Sequence, residues 1–230
     1  LPEYPTDVAA VPGIAAASPR ALGYLADIAA RRAWDVDGLA AAISHESGWN
    51  PKAKNPSGGA VGLLQFLPST LARWRLTPSQ VLAWDAAEQL DLVERFFSEW
   101  EAVGYRIGPD DFLAFGLGVG RAPSSGGVIP DSAVLYEAGS AGALANAPLA
   151  DSSGAITMGG MRSRLRSVVD RAGASPRVPL PPFPELGPSV LPSSPAGGRG
   201  GGGLWALVAL TVAGIFAGTL LTRGRGRRRA

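Results

Sequence analysis

Glu46 is the one carboxylate in a long stretch that otherwise carries none: residues 47–84 contain no Asp or Glu. Acid-base chemistry centred on residues 44–70, SHESGWNPKAKNPSGGAVGLLQFLPST, must therefore run mainly on that single group. Leu39, Ala42, Ile43 and Glu46 fall at i, i+3, i+4 and i+7, which puts the carboxylate at the end of an apolar helical face. A carboxyl group in that position loses hydration, its pKa rises, and it can hold a proton near neutral pH as a general acid. Periodicity alone fits equally well a glutamate that ends a helix without chemical work.

The other chemistry-bearing residue types are scarce. There is no cysteine and a single histidine, His45, so cysteine-ligated zinc and histidine-rich metal sites are excluded. A Ser-His-Asp triad would have to use His45, which has no nucleophile-elbow sequence beside it. His45 is rotated about 100° from Glu46 on the helix, over Gly38 and Ala41, and reads as a flanking polar residue. Residues 151–157 loosely resemble a calcium loop but lack its alternating ligands and closing glutamate, so neither metal nor cofactor is expected.

The elements that must position Glu46 are mostly helical. Residues 1–17, with Pro2, Pro5, Pro12 and Gly13, read as an extended arm, and residues 18–172 as the folded domain. Ser18-Pro19 starts a helix with the apolar stripe Leu22, Leu25, Ile28 and Ala29, and Asp37 is expected to cap the next. Asn50-Pro51 and Asn55-Pro56 stop that helix, Ser57-Gly58-Gly59 makes a loop, and Pro68 opens a further helix. Gln65, inside GLLQ, carries a donor and an acceptor, which suits either the N-acetyl amide of a sugar or the loop backbone. Residues 77–100 read as one helix whose stripe is Val81, Leu82, Leu90, Val93, Phe96 and Phe97. Short helices are expected over 110–120 and 129–136, and an amphipathic one over 161–171 whose arginines form a solvated face.

The C-terminal part has a different character. Residues 173–203 are rich in proline and glycine and read as a linker. Residues 204–221 are 18 uncharged, mostly apolar positions, about 27 Å as a helix, which predicts one transmembrane helix. An arginine-rich tail, 222–230, follows; without it the chain is slightly acidic and shows no basic stripe, which argues against a nucleic-acid partner. The positive-inside rule keeps the tail cytoplasmic and predicts a single-pass membrane protein with an extracytoplasmic body. Gly214 and Gly218 have the spacing of a helix-packing motif and suggest weak dimerisation. The first residues show no signal-peptide pattern, so export is expected by another route or after removal of a segment.

ESGWNP, the Gly59-Ala60-Val61-Gly62 turn, GLLQ and Pro68-Ser69-Thr70 stand in the order, and nearly the spacing, of a known signature. Residues 46–70 resemble the catalytic signature of the soluble-lytic-transglycosylase family, lysozyme-like enzymes that cleave peptidoglycan. The resemblance extends over about 19–136 and implies a mainly α, lysozyme-like helical domain. It also implies that Glu46 is the catalytic acid and that Ser47, Asn55, Gln65 and Phe115 lie near the sugar. Asn55 stands where many members have serine. Where the family shows alanine-tyrosine-asparagine followed by glycine, this chain has Ala114-Phe115-Gly116-Leu117-Gly118. Residues 136–166 are similar to the tails of phage-encoded members. A catalytic domain with one span also resembles transglycosylases of membrane-containing phage particles, which makes a virion membrane the alternative location.

The resemblance implies a mechanism with one carboxylate. Glu46 protonates the bond between N-acetylmuramic acid and N-acetylglucosamine and then, as carboxylate, takes the proton of the muramic C6 hydroxyl, closing a 1,6-anhydro ring. Two other readings stay open on the sequence. A hydrolytic muramidase would use Asp110, Asp111 or Asp131 to activate water. A non-catalytic peptidoglycan-binding or structural envelope or virion protein would need no acid at all.

Overall fold

Ser18 and Pro19 start the first helix as their chemistry predicts. The Ser18 hydroxyl accepts from Ala21 N at 3.2 Å, and proline occupies the first helical position, where no amide hydrogen is required. The computed structural model describes residues 4–117 and 127–182, and the predicted span 204–221 and the arginine tail lie outside the described residues. Helix α1 (Pro19–Arg32) is followed after a short turn by α2 (Val36–Ser47). The cap of α2 is Asp35, whose carboxylate accepts from Gly38 N at 2.7 Å, and not Asp37. A capping residue must still have extended backbone angles; Asp35 has them, and Asp37 is already inside the first turn.

Three helices follow: α3 (Pro68–Arg73), α4 (Pro78–Ala83) and α5 (Ala86–Ala102). The single helix expected over 77–100 is therefore two. Asp85 is extended and forms a capping box with Glu88, its side chain accepting from Glu88 N at 2.9 Å while Asp85 N donates to Glu88 Oε2 at 2.7 Å. Asp-Ala-Ala-Glu is a start signal, and it overrides the apolar periodicity that runs through it. Trp34, Phe97 and Phe112 meet edge to face beneath these helices with ring centroids 5.0–5.9 Å apart, and form the centre of the core.

The second half adds α6 (Phe112–Gly116), β2 (Val134–Tyr136), α7 (Ala141–Ala145), β3 (Ile156–Thr157) and α8 (Met158–Ala172). Residues 129–136, expected to be helical, instead make a turn and then β2, which pairs antiparallel with β3. Val134, Leu135 and Tyr136 suit a half-buried strand once a partner is present. Among the described residues no helix is long and apolar enough to cross a membrane.

The arginines of α8 form the expected solvated face at Arg164, Arg166 and Arg171, which are exposed, but three of the four also reach other elements. Arg162 joins Asp111, at 2.6 Å, to Asp131, and its side chain is only 15% exposed. Arg166 pairs with Asp110, and Arg164 donates to His45 Nε2 at 3.2 Å and to Pro148 O at 3.1 Å. Carboxylates brought up by α6 and by the turn before β2 stand within reach of these long side chains, so the charged face becomes a seam between elements. Met158, Met161, Leu165 and Val168 bury the other side of α8, which packs against α2 and α6.

The N-terminal arm lies on the body and grips α2. Its strand β1 (Asp7–Val8) pairs antiparallel with β4 (Val178–Pro179), and Leu180 N donates to Thr6 O at 2.9 Å. Arg177 bridges Asp7 and Asp37, while Ala9 N donates to Asp37 Oδ1 at 2.7 Å and the Ser44 hydroxyl donates to Pro12 O at 2.8 Å. Residues 173–182, the start of the stretch read as linker, are thus part of the folded body, with Leu180 buried.

Gly13 completes the grip. Its φ is +88°, and a Cβ there would stand 2.0 Å from the Gly48 carbonyl oxygen, at the end of the helix that carries Glu46. Gly13→Ala is expected to cost about 2 kcal/mol or more in strain and clash, read by chemical denaturation. Unchanged stability would show that the arm does not press on the end of α2.

Candidate active site

Glu46 occupies the last turn of α2, and the residues that follow fix that turn in place. Gly48 adopts the left-handed conformation as the C-cap and donates to Ser44 O at 2.8 Å. Trp49 then folds back to donate from its indole to Ala40 O at 3.1 Å. Opposite Glu46 stands α6, where a Cβ placed on Gly116 would be 3.7 Å from Glu46 Oε1. The structure thus brings Glu46 together with the Phe115-Gly116 segment, 70 residues later in the chain.

Glu46 is half-buried as a residue, and its carboxyl is densely surrounded by protein. Burial pushes its pKa from 4.5 up to about 7, and among the described residues no neighbouring charge contributes to the shift. A group with that pKa exchanges its proton near neutrality. The sign for stability follows directly. The folded state binds this proton more tightly than the unfolded chain, so the contribution of this group to stability is fully present below about pH 4.5 and is lost as pH rises through about 7. The unfolding free energy of the wild type relative to Glu46→Gln should decline across that window, measured by denaturant titration at a series of pH values. A difference that stays flat would contradict the buried acid.

His45 points to the other side of α2. Burial, with a smaller contribution from the Arg164 charge, lowers its pKa to about 4, so the imidazole is neutral at physiological pH and its Nε2 accepts from Arg164. It is a fastener between α2 and α8, in keeping with a flanking role.

The remaining residues singled out in the sequence have the following places. The Ser47 hydroxyl donates to Ile43 O at 3.2 Å, within its own helix. Asn55 is buried, and its side-chain oxygen accepts from Ser57 N at 2.8 Å and Gly58 N at 3.1 Å, shaping the Ser-Gly-Gly turn. Gln65 is buried with φ +50°, and its amide donates to Gly62 O at 3.0 Å. The ring of Phe115 has no exposed surface and lies edge-on to Trp100 and Tyr105. A ring so placed is enclosed on all sides, so what this segment presents toward Glu46 is the backbone around Gly116. Asn55 and Gln65 belong to one loop, 50–66, stapled by Asn55 N to Ala60 O at 2.8 Å, Gly62 N to Ala53 O at 2.9 Å, and the pairing of Val61 with Phe66.

One organising residue escaped the sequence reading. Gln89 on α5 is completely buried, and its side-chain oxygen accepts from Leu63 N at 2.9 Å. Its amide donates to Pro51 O at 2.8 Å, Val81 O at 2.9 Å and Trp84 O at 3.3 Å. It joins the loop after α2, the GLLQ segment and the end of α4. The available signal was a glutamine four residues before Val93 and eight before Phe97, on the buried stripe of α5.

Among the described residues no group of His, Asp or Glu is arranged to hold a metal ion. Asp151, at the segment resembling a calcium loop, accepts from Ser153 N, the Ser153 hydroxyl and Ala155 N, which closes a local turn. The chain matches no curated protein and no solved structure. Residues 24–87, a little over a quarter of the chain, match the family model described as Transglycosylase SLT domain, and this supports a place in the SLT, lysozyme-like family for the segment that carries Glu46 and GLLQ.

Proposed function

We propose that the protein is a membrane-anchored lytic transglycosylase that cleaves the β-1,4 bond between N-acetylmuramic acid and N-acetylglucosamine in peptidoglycan. The observation that carries this reading is the Glu46 carboxyl, buried opposite Gly116 with no charge among the described residues shifting its pKa, and inside the segment similar to the transglycosylase family. Protonated Glu46 donates to the glycosidic oxygen as the bond to the muramic C1 breaks. The resulting carboxylate takes the proton of the muramic C6 hydroxyl, whose oxygen bonds to C1. The acid is restored and no water is consumed. Loop 50–66, ordered by Asn55 and Gln65, and the backbone at Phe115-Gly116 line the approach of the glycan, with Ser47 at the end of α2.

A hydrolytic muramidase needs a second carboxylate to activate water or to act as nucleophile. Asp110, Asp111 and Asp131 are each held by an arginine of α8, which counts against that role. The apolar run 204–221, with arginines behind it, supports a membrane anchor and an extracytoplasmic body, as in opening of a wall by a cell or by a virion that carries a membrane.

Incubating the full chain with purified peptidoglycan and weighing the released muropeptides tests the activity. Ends lighter by one water than reducing ends are expected; reducing ends would replace the proposal with hydrolysis, and no release would remove both enzymatic readings. Flotation with phospholipid vesicles tests the anchor, since a chain ending at Gly203 should no longer float. Equal flotation of both chains would refute it.

A further inference from the structure

Tyr136, on β2 and outside the family-matched segment, donates from its hydroxyl to Leu117 O at 3.1 Å. Leu117 is the C-cap of α6, directly after the residue that faces Glu46 Oε1. The phenol ring is seated on α7: a Cβ at Gly142 would lie 2.0 Å from the Tyr136 Cδ1 and 2.2 Å from Cε1. Only a residue without a side chain at 142 lets α7 lie flat against the ring. Burial raises the Tyr136 pKa, so the hydroxyl stays a donor at all working pH values.

Helix α6 has five residues, too few to be stable alone; Leu117 N reaches back to Leu113 O at 3.1 Å, while the carbonyl of the C-cap Leu117 lies past the last helical turn and has no amide of the helix to accept from. Tyr136 supplies a donor to that C-cap carbonyl from outside the helix. We propose that Tyr136 is a positioning residue for the Glu46 acid: its hydroxyl fastens the end of α6 and so keeps the Gly116 backbone closed over the carboxyl. The strand that bears it pairs with β3, and β3 runs through the Thr157 cap into α8, which packs on α2. The phenol therefore ties the Gly116 wall to the same framework that holds Glu46. His45, the titratable neighbour on α2, is turned toward Arg164 and adds no charge to the Glu46 side.

The catalytic readout rests on the transglycosylase reading, whereas the titration readout does not. Tyr136→Phe keeps the ring on Gly142 and removes only the hydroxyl. In the full chain, carbon-13 NMR of the glutamate carboxyls, with Glu46→Gln as the assignment control, should show Glu46 of this variant titrating closer to 4.5 than the wild-type group does. Release of muropeptides should fall about 10-fold in kcat with KM little changed. Gly142→Ala, which forces the ring off its seat, should move both readouts the same way and carries the test if Tyr136→Phe does not fold. A Glu46 titration unmoved by the folded variants overturns the proposal, and unmoved titration with a lowered Tm identifies a tyrosine that only supports the fold. Should the wild type release no muropeptides, the transglycosylase reading fails while the titration still decides the role of Tyr136.

Discussion

Replacing Glu46 by glutamine is expected to reduce peptidoglycan cleavage by at least about 10³-fold while leaving the protein folded. The magnitude follows from the two roles of one group. Ordinary retaining and inverting glycosidases divide proton donation and nucleophile activation between two carboxylates, whereas in the proposed mechanism a single carboxyl carries both proton transfers. Glutamine has nearly the same shape, cannot exchange a proton in this pH range, and removes the cost of burying a charge. The variant should therefore be at least as stable as the wild type above pH 7, where the wild-type carboxyl is ionised. Rates from muropeptide release and stabilities from denaturation check the two halves separately. More than a tenth of the wild-type rate remaining would mean that another acid does the work.

The second large effect is expected at Gln89, far from any bond that breaks. Truncation in Gln89→Ala leaves Leu63 N without its acceptor and takes the amide away from three carbonyls at 51, 81 and 84. Each buried group left unsatisfied costs about 1–3 kcal/mol, and with the cavity the loss should be about 4 kcal/mol. That is a large share of the roughly 5–15 kcal/mol that holds a domain folded. Gln89→Glu is the informative partner. It retains an oxygen for Leu63 N but sets a carboxylate against the three carbonyls, so it should be strongly destabilised at neutral pH and partly recover as pH falls and the carboxyl is protonated. Thermal unfolding at two pH values reads both variants. A loss below about 1 kcal/mol in Gln89→Ala would mean that water or backbone movement replaces the hub. Gly62 belongs to the same arrangement, since at φ +79° a Cβ there would stand 2.4 Å from the Gln89 side-chain oxygen.

Glu46, the serine-proline start of α1 and the apolar face of α2 were legible because each rests on local spacing: a cap, a period, a missing acid. The pKa of Glu46 follows the same logic, since the register that ends an apolar face at position 46 is what buries the carboxyl. Contacts made across long sequence distances were not legible. Nothing near Asp110, Asp111 or Asp131 announces that α8 will bring Arg162 and Arg166 to them, so the solvated face was legible and its ion pairs were not. The break at Asp85 was present in Asp-Ala-Ala-Glu, but apolar periodicity runs through it and hid the box. Residues 129–136 depended on β3 for their strand conformation, and a strand with a distant partner leaves little trace in its own sequence. The arm and the start of the linker look featureless until Arg177, Asp7 and Asp37 meet.

The departures at Phe115 and Gly116 acquire physical content from the fold. Phe115 fills the space beneath Trp100 and Tyr105 instead of offering a polar group. Gly116 stands beside Glu46 without a side chain, and the carbonyl that follows it accepts a hydrogen bond from Tyr136.

The central claim, that one carboxyl works with a nucleophile supplied by the glycan itself, is tested most directly by digestion in water enriched in oxygen-18. Closure of the anhydro ring by the C6 hydroxyl consumes no solvent, so the newly formed muramic ends should carry no label. Incorporation of one solvent oxygen at each cleaved end would contradict the account and require a second base that activates water.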